Sequence, residues 1–326
     1  MTPEKQQALL RIESNLREHD FPPQIVVETT AFCNFRCRHC HHAELRRKKG
    51  RMSAKLWTKI VKEVAAQAPD AELWPTFYGE ALMLRDRLFA MIREARDAGL
   101  TNLVLNSNGS FCRDGFNDKI LACGLRKFLL SLDGLTKETF ERIRYTLDSH
   151  GKYEPVYAGV RALLERKKQL DALGVETPTI ICQFSKMDEN EHEAEAFADY
   201  WLNLGAQVKI REKLTWTGLV EASNLTKSYQ HRIACPWGNN TCTIHWNGDV
   251  VGCAVDNEGR YIAGNVNEQP ISEIWTTTLR RLREIHRQHR WDDLPEVCQG
   301  CIDWQAVGAT NYTPAGEVYH SIAAAE

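Results

Sequence analysis

Six strand-like runs alternating with helix-like runs constrain this chain more than any other feature. The strands are read at Ile25–Thr30, Glu72–Phe77, Asn102–Leu105, Lys127–Ser131, Thr179–Ser185 and Gln207–Leu214. The first crossover helix starts behind Ser53, a capping residue, and repeats Leu56, Ile60, Val61 and Val64 at helical spacing. The others are read at Arg85–Ala98, Asp114–Ala122, Lys137–Tyr145, Pro155–Leu170 and Glu191–Leu204. A helix between each pair of strands returns the chain to the same end of the sheet, so the strands run parallel. The expected fold is α/β, a partial (β/α)6 parallel barrel, with ligands at the C-terminal ends of its strands. Six units fall short of a closed barrel of eight, which leaves a lateral opening for a substrate and a second domain.

The 11 cysteines sharpen this expectation. Cys33, Cys37 and Cys40 follow the first strand as Cys-x3-Cys-x2-Cys, close enough to wrap one soft metal centre from a single loop. Zinc would need a fourth ligand, and His39, His41 or His42 stands nearby to offer one. A four-iron cluster held by three cysteines keeps one iron open to another ligand, and the spacing favours that open cluster. Cys112, Cys123 and Cys182 lie in apolar or amphipathic stretches and read as small core residues.

Beyond Leu214 the alternation stops. Thr241–His245 and Asp249–Cys253 flank Trp246-Asn-Gly-Asp249, a hairpin signal, and a helix is read at Ile271–His289. Cys235, Cys242, Cys253, Cys298 and Cys301 mark this part as metal-stapled. The expected domains are a helical extension at 1–24, the barrel at 25–215 and a small C-terminal domain at 216–326.

Composition excludes several classes. The formal net charge of −2 lacks the basic excess of a nucleic-acid coat. Mean hydropathy is −0.43, and no run of about 18 apolar residues offers a membrane span. The charged N-terminal stretch lacks a signal peptide's apolar core, so the expected location is cytoplasmic, where clustered cysteines stay reduced. Arg46–Arg51 reads as a solvated basic loop.

The cysteine loop after the first strand of a β-α series resembles the radical S-adenosylmethionine (SAM) enzymes. Tyr78-Gly79-Glu80-Ala81 after the second strand is similar to that family's Gly-Gly-Glu-Pro segment, with Tyr78 and Ala81 departing from it. Asn106-Ser107-Asn108-Gly109 ends the third strand, and Ser131-Leu-Asp133-Gly134 ends the fourth, where the family contacts ribose. The resemblance implies SAM binding by His39, Gly79, Glu80, Asn106, Asn108, Ser131 and Asp133, with His39 packing on adenine. Gln183, opposite Cys182 in strand alternation, is expected to face the same cavity. Cys235, Cys253, Cys298 and Cys301 resemble the ligands of the "twitch" form of the SPASM domain, as in radical SAM dehydrogenases acting on amino-cyclitols such as 2-deoxy-scyllo-inosamine.

The resemblance implies two [4Fe-4S] clusters and SAM, with a 5′-deoxyadenosyl radical that takes a hydrogen atom from a C–H bond. The substrate is expected to be a small polyhydroxylated metabolite (sugar, cyclitol, aminoglycoside or nucleoside) and the outcome dehydrogenation. Cys242, left over from the second cluster, is the candidate hydrogen donor of an alternative epimerisation. Arg211 and Glu212, with Lys213, end the sixth strand as candidate catalytic groups. Flavodoxin or ferredoxin is the expected electron donor, docking on Arg46–Arg51. Modification of a ribosomally made peptide is the runner-up, and a zinc-stapled binding module is the non-enzyme alternative.

Overall fold

The alternating strands and helices form as read. The computed structural model describes residues 2–226 and 229–321. Six strands, β1 (Gln24–Val27), β2 (Glu72–Trp74), β3 (Val104–Ser107), β4 (Lys127–Ser131), β5 (Thr179–Lys186) and β6 (Gln207–Glu212), follow one another in space as in sequence. Their pairings are parallel, with an isolated parallel bridge from Leu73 to Leu103 joining β2 to the strand line of β3. Crossover helices α2 (Ala54–Gln67), α3 (Asp86–Asp97), α4 (Phe116–Ala122), α5 (Lys137–Ile143), α6 (Tyr153–Ala172) and α7 (Ala194–Asn203) cover the outside, after an N-terminal α1 (Pro3–Asn15).

Strand alternation divides the interior in two. Ile25, Leu73, Leu105, Phe128, Leu130, Cys182 and Val208 point outward into one large core with the helices, which also buries Cys112 and Cys123. Val104, Leu129 and Ile181 form a separate small cluster with Trp74 inside the barrel, flooring the space where a ligand would sit.

The chain departs from its sequence reading at element ends. β2 stops at Trp74, because residues 75–80 turn over the cysteine loop. Arg144 and Tyr145 leave α5 and pair antiparallel with Arg36 and Cys37. The long helix read at Ile271–His289 is two, α8 (Ile271–Thr276) and α9 (Thr278–Arg287), broken at Thr277 with φ −114° and ψ −88°.

The C-terminal third is woven into the barrel sheet at both edges. β7 (Thr241–Ile244) pairs parallel with β1, and β8 (Asp249–Val251) and β9 (Ile262–Asn265) extend it antiparallel. Two strands without a signal in the reading above, β10 (Ala309–Tyr312) and β11 (Val318–Ser321), add to the other edge, β10 antiparallel to β6. Among the described residues no helix is long and apolar enough to cross a membrane.

Candidate active site

The loop after β1 carries Cys33, Cys37 and Cys40 onto the C-terminal ends of the strands. They line a cavity of about 770 Å³, including its mouth, together with His39, Gly79, Glu80, Asn106, Asn108, Ser131 and Gln183. Burial pushes the Cys33 thiol up to about 12 and raises Cys37 and Cys40 as well. Gly79 is required by close approach, since a Cβ there would lie 2.3 Å from the Thr30 carbonyl oxygen. Glu80 accepts from the Asn108 N–H (2.8 Å), the Leu82 N–H (3.1 Å) and the Ser107 hydroxyl (3.1 Å), tying the β2 loop to the β3 loop. Burial lifts its carboxyl to about 7 against those donors. Asn108 donates to Asn34 Oδ1 at 2.9 Å, with its Nδ2 4.0 Å from the Cys33 sulfur. Gln183 donates to Ser131 Oγ, which donates to Asn106 Oδ1, a polar edge along one side of the cavity.

Asp133 does not face this cavity as a ribose ligand. It is fully buried, its Oδ2 accepts from Arg144 Nε (2.9 Å) and Nη2 (2.6 Å), and its Oδ1 accepts from the Ser185 N–H (2.7 Å). Burial opposes its charge, but Arg144 and His39 hold its carboxyl below the usual range. His39 lines the cavity with Nε2 3.4 Å from Asp133, and burial brings its imidazole down to about 4, so it is neutral at pH 7. Arg144, which carried no sequence signal, links this support to the loop, with Nη1 3.9 Å from the Cys37 sulfur. Only the pairing of residues 144–145 with 36–37 brings it there.

A second cavity of about 1230 Å³, open at its mouth, fills the barrel below the first. Arg211 borders both, with Nε donating to Ser185 Oγ at 3.1 Å. Glu212, the next residue, alternates to the outer face, where it pairs with Lys186 at 2.9 Å and lines a separate outer cleft beside α1, so it borders neither of these two cavities. Lys209 faces inward beside Arg211; burial and then Arg211 bring its ammonium down to about 8. The strand's alternation could have singled it out. Trp216 walls both cavities and donates to the His39 carbonyl at 2.9 Å.

Cys242 is corrected too. It pairs with Ile25 on β1, and both point into the helical core, whereas Gln24 and Val26 face the barrel cavity. No cysteine lines that cavity among the described residues. The basic segment Arg46–Arg51 is a strap rather than a solvated loop. Arg47 makes a bidentate pair with buried Glu28, and Glu258 accepts from the Arg46 and Arg47 N–H groups.

Cys235, Cys253, Cys298 and Cys301 line a third cavity of about 470 Å³ with Arg232, Asp256, Tyr261 and His286. Burial raises all four thiols, Cys298 to about 12. Asp303 binds the Thr215 and Thr217 N–H groups at 2.5 and 2.7 Å, beside the Cys301 sulfur. This holds Trp216 and Thr217 at φ 52° and 60°, a conformation costing about 1–3 kcal/mol per residue.

Both thiol sets fit iron–sulfur clusters. The thiols are free, half-buried or buried, and line cavities rather than meeting at one point. Among the described residues, no three His, Cys, Asp or Glu side chains converge as a single ion demands. Residues 27–177 match the radical SAM superfamily, so the barrel of this chain is a radical SAM domain. More particularly, residues 235–302 match the iron–sulfur cluster-binding domain SPASM, and the chain therefore combines SAM and a [4Fe-4S] cluster with auxiliary iron–sulfur binding. That assignment replaces the zinc-stapled module. The AdoMet-dependent heme synthase of Methanosarcina barkeri is 24% identical, covering 86% of this chain and 91% of that protein. The S-adenosyl-L-methionine-dependent 2-deoxy-scyllo-inosamine dehydrogenase of Niallia circulans is 19% identical, covering 85% and 91%. The crystal structure of Streptococcus suis SuiB bound to precursor peptide SuiA shares the fold at TM-score 0.65 and 11% identity, covering 93% of this chain and 74% of that one.

Proposed function

We propose that this enzyme removes a hydrogen atom from a C–H bond of a small polyhydroxylated metabolite held in the barrel cavity, with dehydrogenation as the net outcome. One observation carries this reading: the barrel cavity lies between the two cysteine sets. It shares Thr76, Phe77, Asn106, Gln183, Arg211 and Trp216 with the cavity of Cys33, Cys37 and Cys40, and meets that of the four C-terminal cysteines at Val255. When bound, the first cluster and SAM supply a 5′-deoxyadenosyl radical, chemistry no side chain offers.

The chain's own residues bind and orient. Cys33, Cys37 and Cys40 hold the first cluster, while Cys235, Cys253, Cys298 and Cys301 hold the auxiliary one. Asn106, Ser131 and Gln183 offer SAM a hydrogen-bonding edge, His39 a neutral ring, and Arg211 a cation at the boundary. Forming a carbonyl from an alcohol requires loss of a hydrogen atom, then a proton and an electron. The electron needs an acceptor beyond the substrate, where the four C-terminal cysteines stand. Supporting this over inversion through Cys242, that residue sits on β7 within the helical core and does not line the barrel cavity.

The test is anaerobic turnover of reconstituted protein with a panel of sugars, cyclitols and nucleosides. Product lighter by two hydrogens, one per 5′-deoxyadenosine, is the expected result. Product of unchanged mass with an inverted centre, or turnover confined to peptides, would overturn the reading.

A further inference from the structure

The inner face of the barrel sheet carries a polar row that crosses five adjacent strands. Ser131 of β4 is in register with Gln183 of β5, and Gln183 with Lys209 of β6. Lys209 in turn faces Asn311 of β10, and Asn311 faces Tyr319 of β11. The first two residues line the SAM-side cavity, and the last four line the barrel cavity. The row therefore starts at the cofactor edge and ends on the C-terminal hairpin that extends the barrel's open side.

Lys209 is the uncompensated charge in this row. Its ammonium makes no hydrogen bond and no ion pair among the described residues. The cavity's one carboxylate, Glu72, is already engaged by Gln24 Nε2 (2.6 Å), Trp74 Nε1 (2.6 Å) and Lys127 (3.7 Å). Arg211, the other cation on the same strand face, adds positive potential and no compensation. Around them the walls are Trp74, Phe77, Leu129, Ile181 and Trp237, apolar surfaces that cannot solvate an ammonium. A half-buried cation against such walls, its nearest carboxylate already shared among other donors, is relieved by an anion of matching position.

We propose that the substrate carries an oxyanion, a carboxylate or a phosphate, and that Lys209 receives it at the centre of this row. The inference rests on the barrel cavity being the substrate site, and it narrows the substrate from a polyhydroxylated metabolite to an anionic one. Lys209 then fixes which end of the substrate lies deep, and so which carbon faces the SAM side. It is a binding residue and takes no proton in this role.

The experiment uses the anaerobically reconstituted holoprotein with SAM bound. Binding of acetate and of inorganic phosphate is followed at constant ionic strength by tryptophan fluorescence, since Trp74, Trp216 and Trp237 line the cavity. Saturable binding of at least one anion is expected, weakened about tenfold or more in Lys209→Met and largely retained in Lys209→Arg. The anion that binds better identifies a carboxylate or a phosphate substrate. No saturable binding in the wild type, or equal binding in Lys209→Met, would overturn the proposal, the latter marking an adventitious site elsewhere. Substrate-free SAM cleavage by dithionite-reduced protein is measured in parallel on all three. Normal cleavage with failed anion binding sinks only the charge assignment, whereas no cleavage in the wild type sinks the enzyme reading beneath it. A folding defect in Lys209→Met would show as lost cleavage, and Lys209→Gln, which keeps a polar side chain without the charge, would then take its place in the comparison, with the same tenfold weakening expected and equal binding overturning the proposal.

Discussion

The two cysteine regions gather their thiols by opposite routes. Cys33, Cys37 and Cys40 come from one loop, so little chain entropy is spent in gathering them. Cys235 caps the short helix Pro236–Asn240, Cys253 follows β8, and Cys298 and Cys301 lie in and just after the short helix Glu296–Gln299, with long loops closed in between. Their surroundings differ as well. The first set has three sulfurs and a polar edge of Glu80, Asn106, Asn108 and Gln183, leaving room for a ligand. The second has four sulfurs in a smaller cavity walled by Val255, Leu282, Val297 and Trp304. The contrast teaches that one site is built to be entered and the other to be closed.

Removing the sulfurs should separate the two regions most sharply. Changing Cys33, Cys37 and Cys40 together to Ala should lower iron from about eight to about four per chain and abolish SAM cleavage. Changing Cys298 and Cys301 to Ala should remove the other four irons and the dehydrogenated product, while substrate-free SAM cleavage survives. Iron analysis and 5′-deoxyadenosine assays check both arms. Loss of cleavage in the second variant would mean that the regions do not act separately.

The support beneath the first set is predicted to be the more fragile. Arg144→Met leaves Asp133 as an uncompensated buried carboxylate and should cost about 3–5 kcal/mol, read from the urea midpoint. A loss below 1 kcal/mol would show that Asp133 finds another partner.

Where the regions meet, acid should loosen them. His245, at the end of β7, is 2% exposed and stacks on Phe77 of the β2 loop with ring centroids 5.6 Å apart. Burial, and then Arg47, lower its imidazole to about 3. A lowered histidine contributes stability fully above its unfolded value of about 6.5 and loses it as pH falls towards the folded value. About 2 kcal/mol should be lost between pH 7 and pH 5. His245→Gln should flatten that part of the stability profile, and an unchanged slope would count against the assignment.

Trp216 is the physical link between the regions, and its loss should be graded. Trp216→Phe keeps a ring against the cavities but deletes the hydrogen bond to the His39 carbonyl, worth about 1 kcal/mol. SAM should bind about fivefold more weakly by equilibrium dialysis, with the auxiliary irons retained. Smallest of all is Cys242→Ala. It should cost about 1 kcal/mol of packing and leave product formation unchanged, and loss of product with normal SAM cleavage would restore Cys242 to the chemistry.

The order of the six β-α units, the three-cysteine loop and the four C-terminal cysteines were legible in the amino-acid sequence, because periodicity and ligand spacing are local quantities. Facing was only partly legible. Alternation within β6 separates Arg211 from Glu212, yet which of them looks inward depends on the strands paired on either side, and a one-residue slip would exchange them. Arg144 reaches Cys37 through an antiparallel pairing between segments more than a hundred residues apart, with no motif to announce it. Cys242 seemed spare on counting, and only its pairing with Ile25 shows that it fills the core. The row through Lys209, Asn311 and Tyr319 likewise exists only once β10 and β11 join the barrel sheet. Spacing along a chain determines which groups can share one loop; which groups face one another across a cavity is decided by strand pairing, a property of the folded sheet.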